Sequence, residues 1–195
     1  MNEERDNTRT DPRHPGRREV LKVCLGVGCG LQLARFASPQ DDAPARPREN
    51  DQLVFAFGDR SGEAIKPDDV VVGAGPLWAH SVDPVSRHVQ DDRLNTLLIV
   101  RFAPDALDEP TRQLAADGIL AYSAVCTHTG CDVSIWDDQT LNFVCSCHDS
   151  EFDPREGAKV LFGPAPRRLP ALPLKIAEGA LVVAGEFRGR VGFGK

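Results

Sequence analysis

The sequence has no excess of basic residues. It carries 23 Lys or Arg against 29 Asp or Glu, a formal charge of −6, and residues 23–195 alone hold 17 against 24. A body of that sign is repelled by phosphate backbones, which excludes nucleic acid as a partner. No internal repeat at solenoid spacing is present, so repeat architectures are excluded too. A membrane-spanning run is also lacking at the N-terminal side. The candidate, Val23–Ala34, is twelve residues without a charge before Arg35 interrupts it. As a helix it would reach about 18 Å, against a hydrocarbon core of roughly 30 Å.

What is present reads as a soluble globular body, with 41% hydrophobic and 27% charged residues. Ahead of it, Pro15-Gly-Arg-Arg-Glu-Val-Leu-Lys22 places an arginine pair directly before the apolar stretch. That is the layout of a secretory signal, and Arg17-Arg18 resembles the twin-arginine type, which exports folded proteins. No small-x-small cleavage site follows near Ala34 or Ala37. Residues 1–37 are therefore expected to be a twin-arginine signal or a short N-terminal anchor giving membrane association. The expected location is the periplasm or the outer face of the cytoplasmic membrane. The Pro-rich, charged stretch 38–51 reads as a linker, leaving residues 52–195 as the folded domain.

Within that domain short apolar runs alternate with turn signals. Strands are expected at Leu53–Phe57, Val70–Val72, Leu77–Ala79, Leu97–Phe102, Ile119–Val125, Asp132–Trp136, Leu141–Val144, Leu172–Ile176 and Leu181–Ala184. One helix is expected over Glu109–Asp117, stopped by Gly118. The fold class is all-β, with antiparallel sheets forming a sandwich. Residues 58–118 read as an acidic, loop-rich insertion. His14, His80 and His88 show no partner pattern and read as surface residues; Trp78 and Trp136 read as packing residues.

The chemistry is concentrated in Cys126-Thr-His-Thr-Gly-Cys131 and Cys145-Ser-Cys-His-Asp-Ser-Glu-Phe152. Cys126-x-His128 and Cys145-x2-His148 are two short ligand pairs, each able to sit on one loop and hold one side of a metal centre. Two thiolates and two imidazoles satisfy a tetrahedral zinc. They equally satisfy a two-iron cluster with both cysteines on one iron and both histidines on the other. Ligand spacing alone leaves both open, along with two disulfides and bystander histidines. The extra cysteines, Cys131 and Cys147, stand where a disulfide tying two opposed loops would need them. Such a bridge requires an oxidising compartment, in agreement with the export signal.

These segments resemble the two cluster-binding boxes of Rieske iron–sulfur proteins, C-T-H-x-G-C and C-x-C-H-x-S. The detailed match covers about residues 120–176. The resemblance implies a Rieske fold with a small cluster-binding subdomain at about 120–168, and one [2Fe–2S] cluster. Cys126 and Cys145 would hold the inner iron, His128 and His148 the outer one, and Cys131–Cys147 would be the disulfide. Ser150 would donate its hydroxyl to a bridging sulfide, and Gly163-Pro-Ala-Pro166 would be the family's proline loop. The chain would then be an electron-transfer subunit without substrate chemistry of its own. Its partners would be cytochrome b/c or molybdopterin oxidoreductase subunits.

Three positions depart from the quinol–cytochrome c reductase branch. Phe152 stands where high-potential members have Tyr, Thr129 where Leu is usual, and Asp149 where Gly is usual. The absent phenol predicts a potential below the top of the Rieske range. Together with the export signal, the second box also resembles the small subunit of arsenite oxidase. A Rieske oxygenase requires a downstream mononuclear iron site, and the 47 residues after His148 contain no histidine.

Overall fold

The computed structural model describes residues 46–194. The expected signal or anchor and residues 38–45 of the expected linker lie outside the described residues. In chain order the elements are β1 (Gln52–Phe55), β2 (Leu77–Val82), β3 (Val89–Gln90), β4 (Leu97–Arg101), α1 (Glu109–Arg112), β5 (Ile119–Ser123), β6 (Ile135–Asp137), β7 (Asn142–Val144), β8 (Glu151–Asp153), β9 (Lys159–Phe162), β10 (Ala171–Leu172), β11 (Leu174–Ala177) and β12 (Ala180–Val183). No helix among the described residues is long and apolar enough to cross a membrane.

The strands form two antiparallel sheets. The larger runs β10-β5-β4-β2-β1-β12-β11, with β3 paired to β2; the smaller runs β6-β7-β8-β9. The all-β expectation is met, and the reason is legible in β4. Leu97-Leu-Ile-Val100 is buried at all four positions, as a strand covered on both faces must be. Successive side chains point to opposite faces. Leu98 and Val100, with Leu120 and Tyr122 of β5, face one core that also contains Phe143, Phe152, Cys126 and Cys145. Leu97 and Ile99, with Ile119 and Ala121, face a second core with Leu53, Leu174 and Leu181. The first core joins the large sheet to the small one. The chain's one tyrosine, Tyr122, anchors that junction by donating to Pro154 O at 2.7 Å.

Several local expectations change. The segment 58–118 supplies β2, β3 and β4, interior and branching strands of the large sheet. Val70–Val72 makes only an isolated bridge, between Val72 and Arg101. The helix stops after one turn. Asp108 caps it by accepting the Thr111 N–H at 2.9 Å. Ala116 and Ile119 then exchange backbone hydrogen bonds, turning the chain directly into β5. His80 is buried within β2, 3.3 Å from Thr96 Oγ1 and edge-on to Phe57. The strand β11 begins only after Pro173, which has no N–H for the ladder. The strands β3, β8 and β9 have no counterpart in the sequence reading.

Candidate metal centre

Two loops carry the cysteines and histidines, and they are built alike. In the first, between β5 and β6, the Cys126 N–H donates to Cys131 O at 2.8 Å and the Gly130 N–H to Cys126 O at 3.1 Å. In the second, between β7 and β8, the Cys145 N–H donates to Ser150 O at 2.9 Å and the Asp149 N–H to Cys145 O at 3.0 Å. Each is a six-residue circuit closed by main-chain bonds, and the fifth residue has left-handed φ in both: +84° at Gly130 and +53° at Asp149. The first cysteine of each circuit is thereby fixed at its base.

The structure joins Cys131 to Cys147 in a disulfide with Cα atoms 6.4 Å apart, inside the usual span for such a bridge. Cys126 and Cys145 remain free and buried. The Cys145 sulfur lies within 4.8 Å of both disulfide sulfurs. Those two have no thiolate to offer, so the three sulfurs form a packed wall rather than a three-cysteine metal site. The two imidazoles, one on each loop, have ring centroids 4.7 Å apart at 82°. Polarity thus runs outward, with Cys126 and Cys145 buried, His128 half-buried and His148 exposed.

Two observations test this donor set against a metal. His128 Nδ1 is buried with no hydrogen-bond partner, a costly arrangement unless that lone pair has another acceptor. Burial pushes the Cys126 thiol up to about 11, against a lowering hydrogen bond from the His128 backbone; the neighbouring Cys145 raises it further and a hydrogen bond from Ser150 lowers it. A cation placed among these groups would accept the orphaned lone pair and favour the thiolates. Soft thiolates inside and imidazoles outside fit an iron–sulfur centre of mixed ligation.

A third segment closes the site between β9 and β10. The Ala165 N–H donates to Ser150 Oγ at 3.1 Å, and Thr127 Oγ1 donates to Arg167 O at 2.6 Å. Gly163, at φ +88°, lies directly against Ser150. Phe152 is fully buried on β8, paired across the sheet with Phe143. Thr129 is exposed on the first loop, with its hydroxyl 3.8 Å from Cys131 Sγ. All seven Cys, His and Ser positions singled out in the sequence therefore converge. Thr127 and Arg167, which bind the two sides together, carried no signal in the sequence because their contact is between a side chain and a carbonyl.

A family model for the Rieske [2Fe-2S] domain matches residues 89–173. The cytochrome bc1 complex Rieske iron–sulfur subunit of Streptomyces coelicolor is 37% identical over 189 residues, covering 91% of this chain and 53% of that protein. The corresponding subunit of Streptomyces lividans is 37% identical over 138 residues, covering 68% of this chain and 80% of that one. A Haloferax mediterranei protein, provisionally named as the Rieske subunit of a respiratory nitrate reductase, is 48% identical over 99 residues, covering 50% of this chain and 44% of that one. The chain thus spans about half the length of the Streptomyces coelicolor relative. With the matched domain, the paired loops and the donor set in agreement, the chain belongs to the Rieske [2Fe-2S] iron–sulfur protein family and carries one [2Fe–2S] cluster.

Proposed function

We propose that this chain transfers single electrons as the exported iron–sulfur subunit of a respiratory oxidoreductase complex. Cys126, Cys145, His128 and His148 would hold the cluster, the cysteines on one iron and the histidines on the other. The observation that carries the reading is the outward gradient from buried thiols to the exposed His148 ring, 4.7 Å from His128. It leaves the histidine side open to a partner while the cysteine side stays dry. The cluster, when bound, supplies one-electron exchange.

The residues of the chain set its conditions. The buried, unpartnered His128 Nδ1 would face the metal, which orients the ring. Ser150 offers its hydroxyl to the Cys126 sulfur while receiving the Ala165 N–H, which fixes the hydroxyl's direction. The disulfide holds the two loops at one separation. Phe152 offers no hydroxyl, which favours a potential below the top of the window of roughly −150 to +300 mV.

The relatives named as bc1 subunits support a cytochrome partner, and the nitrate reductase relative supports a second class of complex. Phe152 and the arsenite-oxidase-like second box favour a complex other than quinol–cytochrome c reductase. Arg17-Arg18 and the following apolar run support twin-arginine export to the outer face of the cytoplasmic membrane. The deciding experiment is absorption and paramagnetic resonance spectroscopy on the full chain, with His148→Ala as control. A Rieske spectrum lost in the variant supports the ligand set. A colourless protein holding one divalent ion overturns it, and retention of the precursor in the cytoplasm overturns the export reading.

A further inference from the structure

The segment 188–194, which follows β12, lies across both the proline loop and the first ligand loop. Its start is pinned by backbone bonds in both directions between Arg188 and Ala171, at 2.7 and 3.2 Å. The Arg167 guanidinium then donates to both Arg190 O and Gly192 O. Such a rigid two-pronged donor is something a lysine cannot reproduce. Finally the Phe193 ring rests on Gly130 so closely that a β-carbon there would stand 2.5 Å from Phe193 Cδ1. That side chain is 57% exposed, an unfavourable place for a large ring unless the contact does something.

Gly130 is the point where pressure on the loop matters. It lies two residues after His128 and immediately before the disulfide cysteine, and its N–H closes the circuit onto Cys126 O. Its carbonyl is also held, by Arg93, which pairs with Asp132 at 2.6 Å. The loop carrying His128 is therefore gripped from outside at one residue, by a ring on its α-carbon and a guanidinium on its oxygen. Arg167, which directly follows the proline loop, also ties itself to the first ligand loop, since its own carbonyl accepts from Thr127.

We infer that Phe193 and Arg167 are positioning residues for His128, with segment 188–194 acting as a strap that fixes the first ligand loop against the proline loop. The inference rests on the ligand assignment proposed above. Neither side chain touches the cluster; both act by restricting the backbone that presents His128, and a ligand that cannot swing away is slower to leave its metal.

The test compares full-length Phe193→Ala, Phe193→Leu, Arg167→Ala and Arg167→Lys chains with the parent. Amide hydrogen exchange at Cys126 and Gly130 should rise in both alanine variants while exchange in β4 and β5 stays unchanged. Cluster bleaching by a chelator should speed up about tenfold, in line with the usual cost of losing support behind a ligand. Phe193→Leu should restore both readouts and Arg167→Lys neither. The double alanine variant should bleach no faster than the faster single one, because both break one strap. Unchanged exchange at residues 126–131, or an equal rise throughout the large sheet, overturns the inference. A parent chain without a cluster overturns the ligand assignment, and the exchange comparison then still decides the strap.

Discussion

Gly163 presses its α-carbon against Ser150: a β-carbon at 163 would stand 2.6 Å from Ser150 Cα and 2.9 Å from Ser150 Oγ. At φ +88° the backbone there is also one that side chains rarely adopt. This contact keeps the proline loop within reach of the second ligand loop, so that Ala165 can donate to the serine. Gly163→Ala should therefore lower the melting temperature and raise the rate of cluster loss together. Differential scanning calorimetry and iron analysis check both. A variant with parental iron content and melting temperature would falsify the close-approach argument.

Asp149 occupies the same place in its circuit that Gly130 occupies in the other, at φ +53°. For most side chains this conformation costs about 1–2 kcal/mol, and aspartate tolerates it better. Asp149→Ala should lose about 1 kcal/mol, or roughly 2–4 °C in a domain of this size, and Asp149→Gly little or nothing. Thermal melts of the two variants decide it; equal losses would show that the carboxylate, not the backbone, matters.

Phe152 is buried in the core that contains Cys126 and Cys145. Phe152→Tyr restores the hydroxyl carried by high-potential members of the family. Each kcal/mol by which it favours the reduced cluster raises the potential by about 40 mV for one electron. Protein-film voltammetry should show that rise. No change, or a fall, would mean that another group sets the potential here.

Burial holds the His80 imidazole below its ordinary value of 6.5, and Asp91 opposes the shift only partly. The folded chain keeps this ring neutral while the unfolded chain takes up a proton as pH falls below 6.5. The stability that His80 contributes is thus complete above 6.5 and lost as the pH drops beneath it. Melting temperature should fall on acidification from pH 7 to 5. His80→Gln, which retains an amide for Thr96, should flatten that slope, and parallel curves for the two proteins would contradict the assignment.

The ligand loops were legible because their residue types are rare and their spacing is fixed by the circuit that carries them. The Cys131–Cys147 bridge is present and the His128 and His148 rings lie 4.7 Å apart. Strand β3 was hidden, and β2 was read as ending at Ala79, for a physical reason. His80, Ser81 and Gln90 are buried although polar, so the alternation that marks a half-buried strand is broken there. The helix was overextended because propensity favoured residues 113–116, while the turn at Asp117-Gly118 had already claimed them. Phe193 and Arg167 left no local pattern at all. Their role exists only once a distant part of the chain has folded back onto Gly130.

The main-chain circuits make the centre a figure drawn by peptide bonds, with its side chains hung on afterwards. Thr129 and Ser146 lie exposed on that figure and close none of its main-chain bonds. The recipe for gripping metal can accordingly stay constant while the face shown to other proteins is rewritten.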